Sequence, residues 1–219
     1  LGLDWQRFSF GLPSPNNAFI PNTLQSTAAV IGGDLMLTDQ WLMRLETQPG
    51  IYSDFQDISS DDVNSPITFG FAYLVDEQLQ WFFGLSVDAF RQYPVIPAAG
   101  LRWHFADDWT LMALLPKPRL EYEAQKNINL YLGADLKGGS YRVGKQFGNE
   151  FVRSNLNNTV VDYTEVRIGG GAEWKLTPSL TLEVEGGYMV YREFSFYRTA
   201  SRIKSDPAPY GQVGISAKF

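Results

Sequence analysis

The sequence predicts an all-β protein: a single up-and-down antiparallel transmembrane β-barrel of about 12 strands, one domain over residues 1–219. Both termini are expected in the periplasm. Three observations predict this. Alternating apolar and polar segments recur in pairs joined by two- or three-residue polar turns. The connections between pairs are mostly long. The six tryptophans gather near the tight turns. Composition agrees, with 44% hydrophobic residues, 15% aromatic, only 19% charged and 20 glycines, a balance that suits strands more than helices.

A first strand is expected near Leu1–Phe10. Ile31–Leu37 turns through Thr38-Asp39-Gln40 into Trp41–Ile51, and Ile67–Val75 through Asp76-Glu77-Gln78 into Leu79–Phe90. Ala98–Phe105 turns through Ala106-Asp107-Asp108 into Trp109–Leu115. Arg119–Ala124 turns through Gln125-Lys126-Asn127 into Ile128–Tyr141. Val160–Leu176 turns through Thr177-Pro178-Ser179 into Leu180–Phe196, and a last strand runs near Tyr210–Phe219. The connections Gly11–Gln25, Ser53–Pro66, Gly144–Thr159 and Tyr197–Pro209 are long; Arg91–Pro97 and Pro116–Pro118 are short. In a meander, all tight turns fall at one end and the long loops at the other, as in outer-membrane barrels.

Period-2 alternation assigns faces. In the strand from Leu180, Leu182, Val184, Tyr188 and Val190 lie opposite Thr181, Glu183, Glu185 and Met189. In the strand before it, Val166, Ile168, Ala172 and Trp174 oppose Glu165, Arg167 and Glu173. From Ile128, Leu130, Leu132 and Leu136 oppose Tyr131, Asp135 and Lys137. A soluble sheet with one wet face gives the same alternation. The tryptophans favour the membrane, because an indole suits the headgroup layer. Trp41, Trp81 and Trp109 closely follow tight turns, Trp103 and Trp174 precede them, and Trp5 is expected on the same rim. Tyr52, Phe55, Phe90, Tyr93, Tyr141, Tyr191 and Phe194 are expected as a second girdle at the long-loop end. The final Tyr210–Phe219 resembles the C-terminal signal of bacterial outer-membrane proteins.

The stretch from Pro97 through Trp103, His104 and Trp109, then Pro116-x-Pro118 with Tyr122 and Leu130–Gly139, resembles an uncharacterised family of Gram-negative outer-membrane β-barrels, a domain of unknown function. The resemblance implies the barrel fold and an outer-membrane address. It brings no activity and no catalytic residues.

Composition excludes much chemistry. With no cysteine there are no disulfides or thiolate sites, and a single histidine excludes a multi-histidine metal centre. A net charge of −6 supplies no basic field for nucleic acid. The chain starts at Leu1, as a trimmed, exported chain does. No spanning helix is expected, since Phe8–Gly33 is broken by prolines and asparagines. No cofactor, metal site or catalytic residue is expected. A lipid hydrolase built on His104 with Asp107 or Asp108 is disfavoured, since the Asn-x-His-x-Ser pattern of barrel phospholipases is missing. Gly169-Gly170-Gly171 lacks the Lys-Ser/Thr of a phosphate loop. The acidic cluster Asp54, Asp57, Asp61 and Asp62 lacks EF-hand spacing and reads as a solvated loop.

Candidate lumen-lining residues are Arg44, Arg102, His104, Arg119, Glu121, Asp135, Lys137, Glu165, Arg167, Glu173, Glu183 and Glu185. Arg142, Arg192, Arg198, Arg202 and Lys204 are candidates for contact with lipopolysaccharide phosphates. The function expected is a narrow, porin-like passive channel for ions or small polar solutes. The alternative is a closed scaffold barrel that anchors partner proteins, through loops or periplasmic rim, or lipopolysaccharide.

Overall fold

The computed structural model describes residues 1–10 and 19–217. The expected Phe219 signal therefore lies outside the described residues. The strands are β1 (Gly2–Ser9), β2 (Thr23–Met36), β3 (Trp41–Thr47), β4 (Gly50–Ser53), β5 (Val63–Asn64), β6 (Ile67–Leu74), β7 (Leu79–Val87), β8 (Val95–Ala106), β9 (Trp109–Ala113), β10 (Arg119–Gln125), β11 (Ile128–Arg142), β12 (Val160–Thr177), β13 (Leu180–Phe196), β14 (Ser201–Ser205) and β15 (Ala208–Ala217). All fifteen join one sheet, and the described residues hold no α-helix.

Fifteen segments exceed the expected count of about 12, and proline is the reason. The breaks between β3 and β4, β5 and β6, and β14 and β15 contain Pro49, Pro66 and Pro207. Proline has no N–H to give the ladder. Register nevertheless continues across each break. Thr47 faces Ile31 and Gly50 faces Ala28; Ile67 faces Thr47 and Asn64 faces Gly50; Ser205 faces Arg192 and Ala208 faces Met189. The proline carbonyls still accept: Ala29 N–H donates to Pro49 O at 3.0 Å and Gln48 N–H to Pro66 O at 2.9 Å. Part of the expected loop Tyr197–Pro209 is thus strand.

Nine strands close a ring in the order β2, β3, β6, β7, β8, β9, β10, β11, β4. The closing contact sets Arg142 of β11 beside Ser53 of β4, and Asp54 N–H donates to Arg142 O at 3.0 Å. β12–β13 continue from β11, while β1 and β15 end the sheet with one strand partner each among the described residues.

Directly paired residues share a face. The face carrying Trp41, Phe71, Trp81, Leu85, Leu101 and Trp109 points outward, and it holds no charged side chain along β3 and β6–β10. The same holds for β11 up to Leu136, β12 from Val166 and β13 up to Tyr188. Large apolar side chains there are bare: Leu132 is 65% exposed and Ile168 50%. Five tryptophans sit on this face near tight turns. Trp5 faces Thr27, far up β2 from the turn after Met36, so register does not put it on their row.

The expected second girdle is largely a core instead. Tyr52, Phe90, Tyr141 and Phe194 are buried, together with Leu24, Val161, Tyr163 and Phe196. Phe10 packs 4.8 Å from Phe194 and Phe8 4.8 Å from Tyr163, centroid to centroid. This aromatic plug fills the space between β1–β2 and β11–β14 at the long-loop end. Tyr93, by contrast, stands 70% exposed.

β11 reaches the ring closure past Gly138, whose φ of +135° lies outside the range open to L side chains. A Cβ there would also strike the Tyr163 carbonyl. Gly138→Ala is therefore expected to lower unfolding stability by about 1–3 kcal/mol. Gly33→Ala, where a Cβ meets nothing within 4 Å, should shift it by less than about 0.5 kcal/mol. Denaturant titration of the refolded variants checks both.

Candidate functional site: the charged interior

Register carries the inner face around the sheet. Arg102 faces Met112, which faces Arg119, then Gly133, Gly169 and Gly187. His104 faces Thr110, then Glu121, Tyr131, Gly171 and Glu185. Arg44, Asp135, Lys137, Glu165, Arg167, Glu173 and Glu183 share that face. All twelve candidate lumen residues therefore lie on one side of the sheet. They do not act as one group.

On the β10–β15 side the charges are tied together. Glu165, only 1% exposed, lies between Arg167 and Arg192 and accepts from Tyr163. Arg192 Nη2 is 3.2 Å from its carboxylate. Arg119 spans Glu121 at 2.7 Å and Glu173 at 2.9 Å. Asp135 meets Lys117 and Lys137, each at 3.5 Å. Lys137 and Arg167 converge on Gln212 at 2.7 and 3.1 Å.

Gly169 and Gly171 make room for this network. Tyr131 lies against Gly171 and Tyr210 against Gly169, where a Cβ would come within 2.6 and 2.5 Å of the hydroxyls. Tyr131 hydroxyl bonds reach Glu183 at 2.6 Å and Glu185 at 2.7 Å; Tyr210 donates to Glu185 at 2.5 Å. Arg119 and Arg167 cover the two rings at 5.0 and 4.8 Å. Glycine mid-strand is here a seat for an aromatic ring, and the tyrosines were not singled out in the sequence.

On the β3–β9 side the same face is bare. Among the described residues Arg44 pairs only with Asp34, at 3.3 Å, and its side chain is 63% exposed. Arg102 is exposed, and His104 Nδ1 sits 3.0 Å from Thr110 Oγ1. A cavity of about 820 Å³ opens there, lined by β3, β6–β8, residues 114–116 and the upper halves of β11 and β12.

Two candidates for lipopolysaccharide contact turn inward. Arg142 donates to Asp61 O and Asn158 O, both at 2.8 Å, and lies over the Phe90 ring. Arg192 is engaged by Glu165, because a bulge re-aims it. Arg167 faces Met189 but Val166 faces Tyr191, so Val190 is an extra residue. One extra residue exchanges the faces of everything beyond it. Arg192, Phe194 and Phe196 thereby point in. Arg198, Arg202 and Lys204 remain exposed.

The acidic loop caps backbone. Asp54 accepts from Gly144 N–H at 2.8 Å and Gln56 N–H at 3.1 Å, and Asp62 from Ser59 N–H at 2.6 Å. Burial pushes the Asp54 carboxyl up, while those N–H groups pull it down; the net is upward. Its stabilising contribution is thus lost as pH rises through the folded-state value.

The family described as a domain of unknown function (DUF6268) matches residues 14–217. The chain belongs to this family. No curated protein and no solved structure matches it. The DUF6268 match covers β2 through β15, and hence the nine-strand ring and the whole charged interior; β1 lies outside it.

Removing one buried partner leaves the others uncompensated. Glu165→Gln is expected to destabilise by about 3–5 kcal/mol, whereas Arg198→Gln should change stability by less than about 0.5 kcal/mol. Urea unfolding with Arg192→Met and the double variant closes a cycle, and a coupling near zero would contradict the buried triad.

Proposed function

We propose that the chain spans the outer membrane as one up-and-down barrel whose charged half braces the wall and does not conduct. The observation that carries this reading is the charge-free, exposed apolar outer face set against an inner face dense in paired ions. A soluble protein has no solvent-side use for bare Leu132 and Ile168. Joining the three proline breaks turns the fifteen segments into twelve tracks, an even number with both ends on the tight-turn side. Unpaired edges are costly in hydrocarbon, so β1 and β14–β15 pair with each other in the bilayer. The aromatic plug and the ion network favour a closed barrel. Arg198, Arg202 and Lys204 then face the outer leaflet, where lipopolysaccharide phosphates match them.

The passive-channel reading keeps one favourable observation: Asp34, Arg44 and Arg102 are exposed on the inner face. Planar bilayers decide between the two. The closed reading expects no stepwise current. A current whose ion selectivity reverses in Arg44→Glu would establish the channel.

The membrane itself is tested by Leu132→Arg. In a bilayer it should cost about 2–4 kcal/mol, measured by reversible unfolding from phosphatidylcholine vesicles; a neutral effect overturns the reading. Edge closure is tested by Leu3→Cys combined with Val213→Cys or Ile215→Cys. No native cysteine competes. The inserted protein should form an intramolecular disulfide in one of the two pairs, visible as a gel shift reversed by reductant.

A further inference from the structure

The 820 Å³ cavity has a cause in the sequence and an opening in the wall. Its volume falls in the range of about 300–1,000 Å³ that small-molecule sites occupy. Inner-face positions of β6–β8 are mostly small there: Gly70, Ala72, Gly84 and Ala98, with Phe82 the large exception. Arg44 lies on the row of Gly70, Gly84 and Ala98. Three short side chains therefore leave space beside one long cationic one.

The opening comes from a short hairpin. β9 has 5 residues and β10 has 7, between β8 with 12 and β11 with 15. β8 pairs with β9 only from Leu101 onward, so Val95–Ala99 have no strand partner on that side. β10 leaves β11 at Gly133, and Ala134 and Leu136 N–H donate to Pro118 and Pro116 carbonyls. Above that point, among the described residues, β11 has no strand neighbour on the β10 side until Arg142 reaches β4. Among the described residues no strand therefore spans the gap between upper β8 and upper β11. The lips are apolar and bare: Val95 53%, Ile96 44%, Leu115 58% and Leu136 41% exposed. Water-filled gaps do not need apolar lips; a gap facing hydrocarbon does.

The charged side chains lining the cavity are Arg44, Arg91, Lys137 and Asp162, and Asp162 accepts from Gln92 N–H at 3.0 Å. Arg44 Nε lies 3.3 Å from Asp34, and among the described residues no hydrogen bond engages its two Nη groups, which suit a bidentate carboxylate. Arg91 is engaged by Asp88 and Ser86, and Lys137 by Asp135 and Gln212. The geometry points to a binding site for a long-chain carboxylate, its head on Arg44 and its hydrocarbon chain leaving between β8 and β11 into the bilayer. This inference rests on the membrane reading, since the lateral opening needs lipid outside it.

The test uses the full chain in phosphatidylcholine vesicles with a 16-carbon carboxylic acid carrying a diazirine at the chain end. Cross-links are expected on residues 95–98, 114–116 and 136. The unlabelled acid should compete and its methyl ester should not. Arg44→Gln, which leaves the wall packing unchanged, should lower labelling roughly tenfold. Ala98→Trp, which fills the chamber, should abolish it. Labelling spread over the whole outer face, unaltered in Arg44→Gln and equally competed by the ester, overturns the site while leaving the membrane barrel standing. A chain that alkaline carbonate strips from the vesicles overturns the membrane reading, and the lateral route with it.

Discussion

Glu165 is the constraint around which the interior is arranged. A carboxylate with 1% exposure stays charged only if partners replace the water it has lost. Arg167 comes from its own strand, two residues away, and Arg192 from the neighbouring strand. Arg192 reaches it because Val190 is bulged out of β13. Without that extra residue Arg192 would face outward and Glu165 would hold one cation. The bulge has a second effect: it turns Phe194 and Phe196 inward, where they complete the aromatic plug above the carboxylate. One irregularity in one ladder therefore supplies both the charge partner and the apolar cap that dehydrates the pair.

The interior is divided by bulk. Toward β10–β15, arginine, tyrosine and glutamate fill the space, and glycines at 169 and 171 exist to let tyrosine rings lie flat on the wall. Toward β6–β8, glycine and alanine at 70, 84 and 98 leave a row without bulk, and the cavity remains. The upper ends of β11 and β12 form the partition. One face of that partition, with Tyr141 and Tyr163, packs into the plug. The other, with Gly138, Asp162 and Thr164, lines the cavity. Ring closure by β4 and β11 at Asp54 and Arg142 holds the partition in place.

Tight turns, faces and most strand positions are legible because each rests on period-2 alternation and turn chemistry, both local properties; β2 differs, beginning at Thr23 where the sequence pattern predicts Ile31. The inner face of Asp135, Lys137, Glu173, Glu183 and Glu185 follows from counting. Arg192 and Phe194 were misplaced because a bulge is invisible to a count by twos: nothing in Tyr188-Met189-Val190-Tyr191 marks which residue is skipped. Arg142 was misplaced for a different reason. Its parity is outward, but the end of β11 lies inside the molecule, and only tertiary closure decides that. Tyr141 was legible in principle, since it shares parity with Asp135 and Lys137. A tyrosine at a strand end equally suits a membrane interface, so parity alone does not decide its side.

Proline acts in this fold as a break in hydrogen bonding that leaves direction intact. At Pro49, Pro66 and Pro207 one donor is lost, yet register on both sides agrees to the residue. The Pro116-x-Pro118 segment does something else, ending a hairpin early. There the carbonyls of Pro116 and Pro118 accept from Leu136 and Ala134. Past Pro116 no further strand among the described residues rises to continue the wall. A meander with strands of equal height would have no opening at this level. The unequal heights of β8, β9, β10 and β11 thus place an apolar gap beside the small-residue side of the interior, and the two features coincide at Ala98 and Pro116, which both line the cavity.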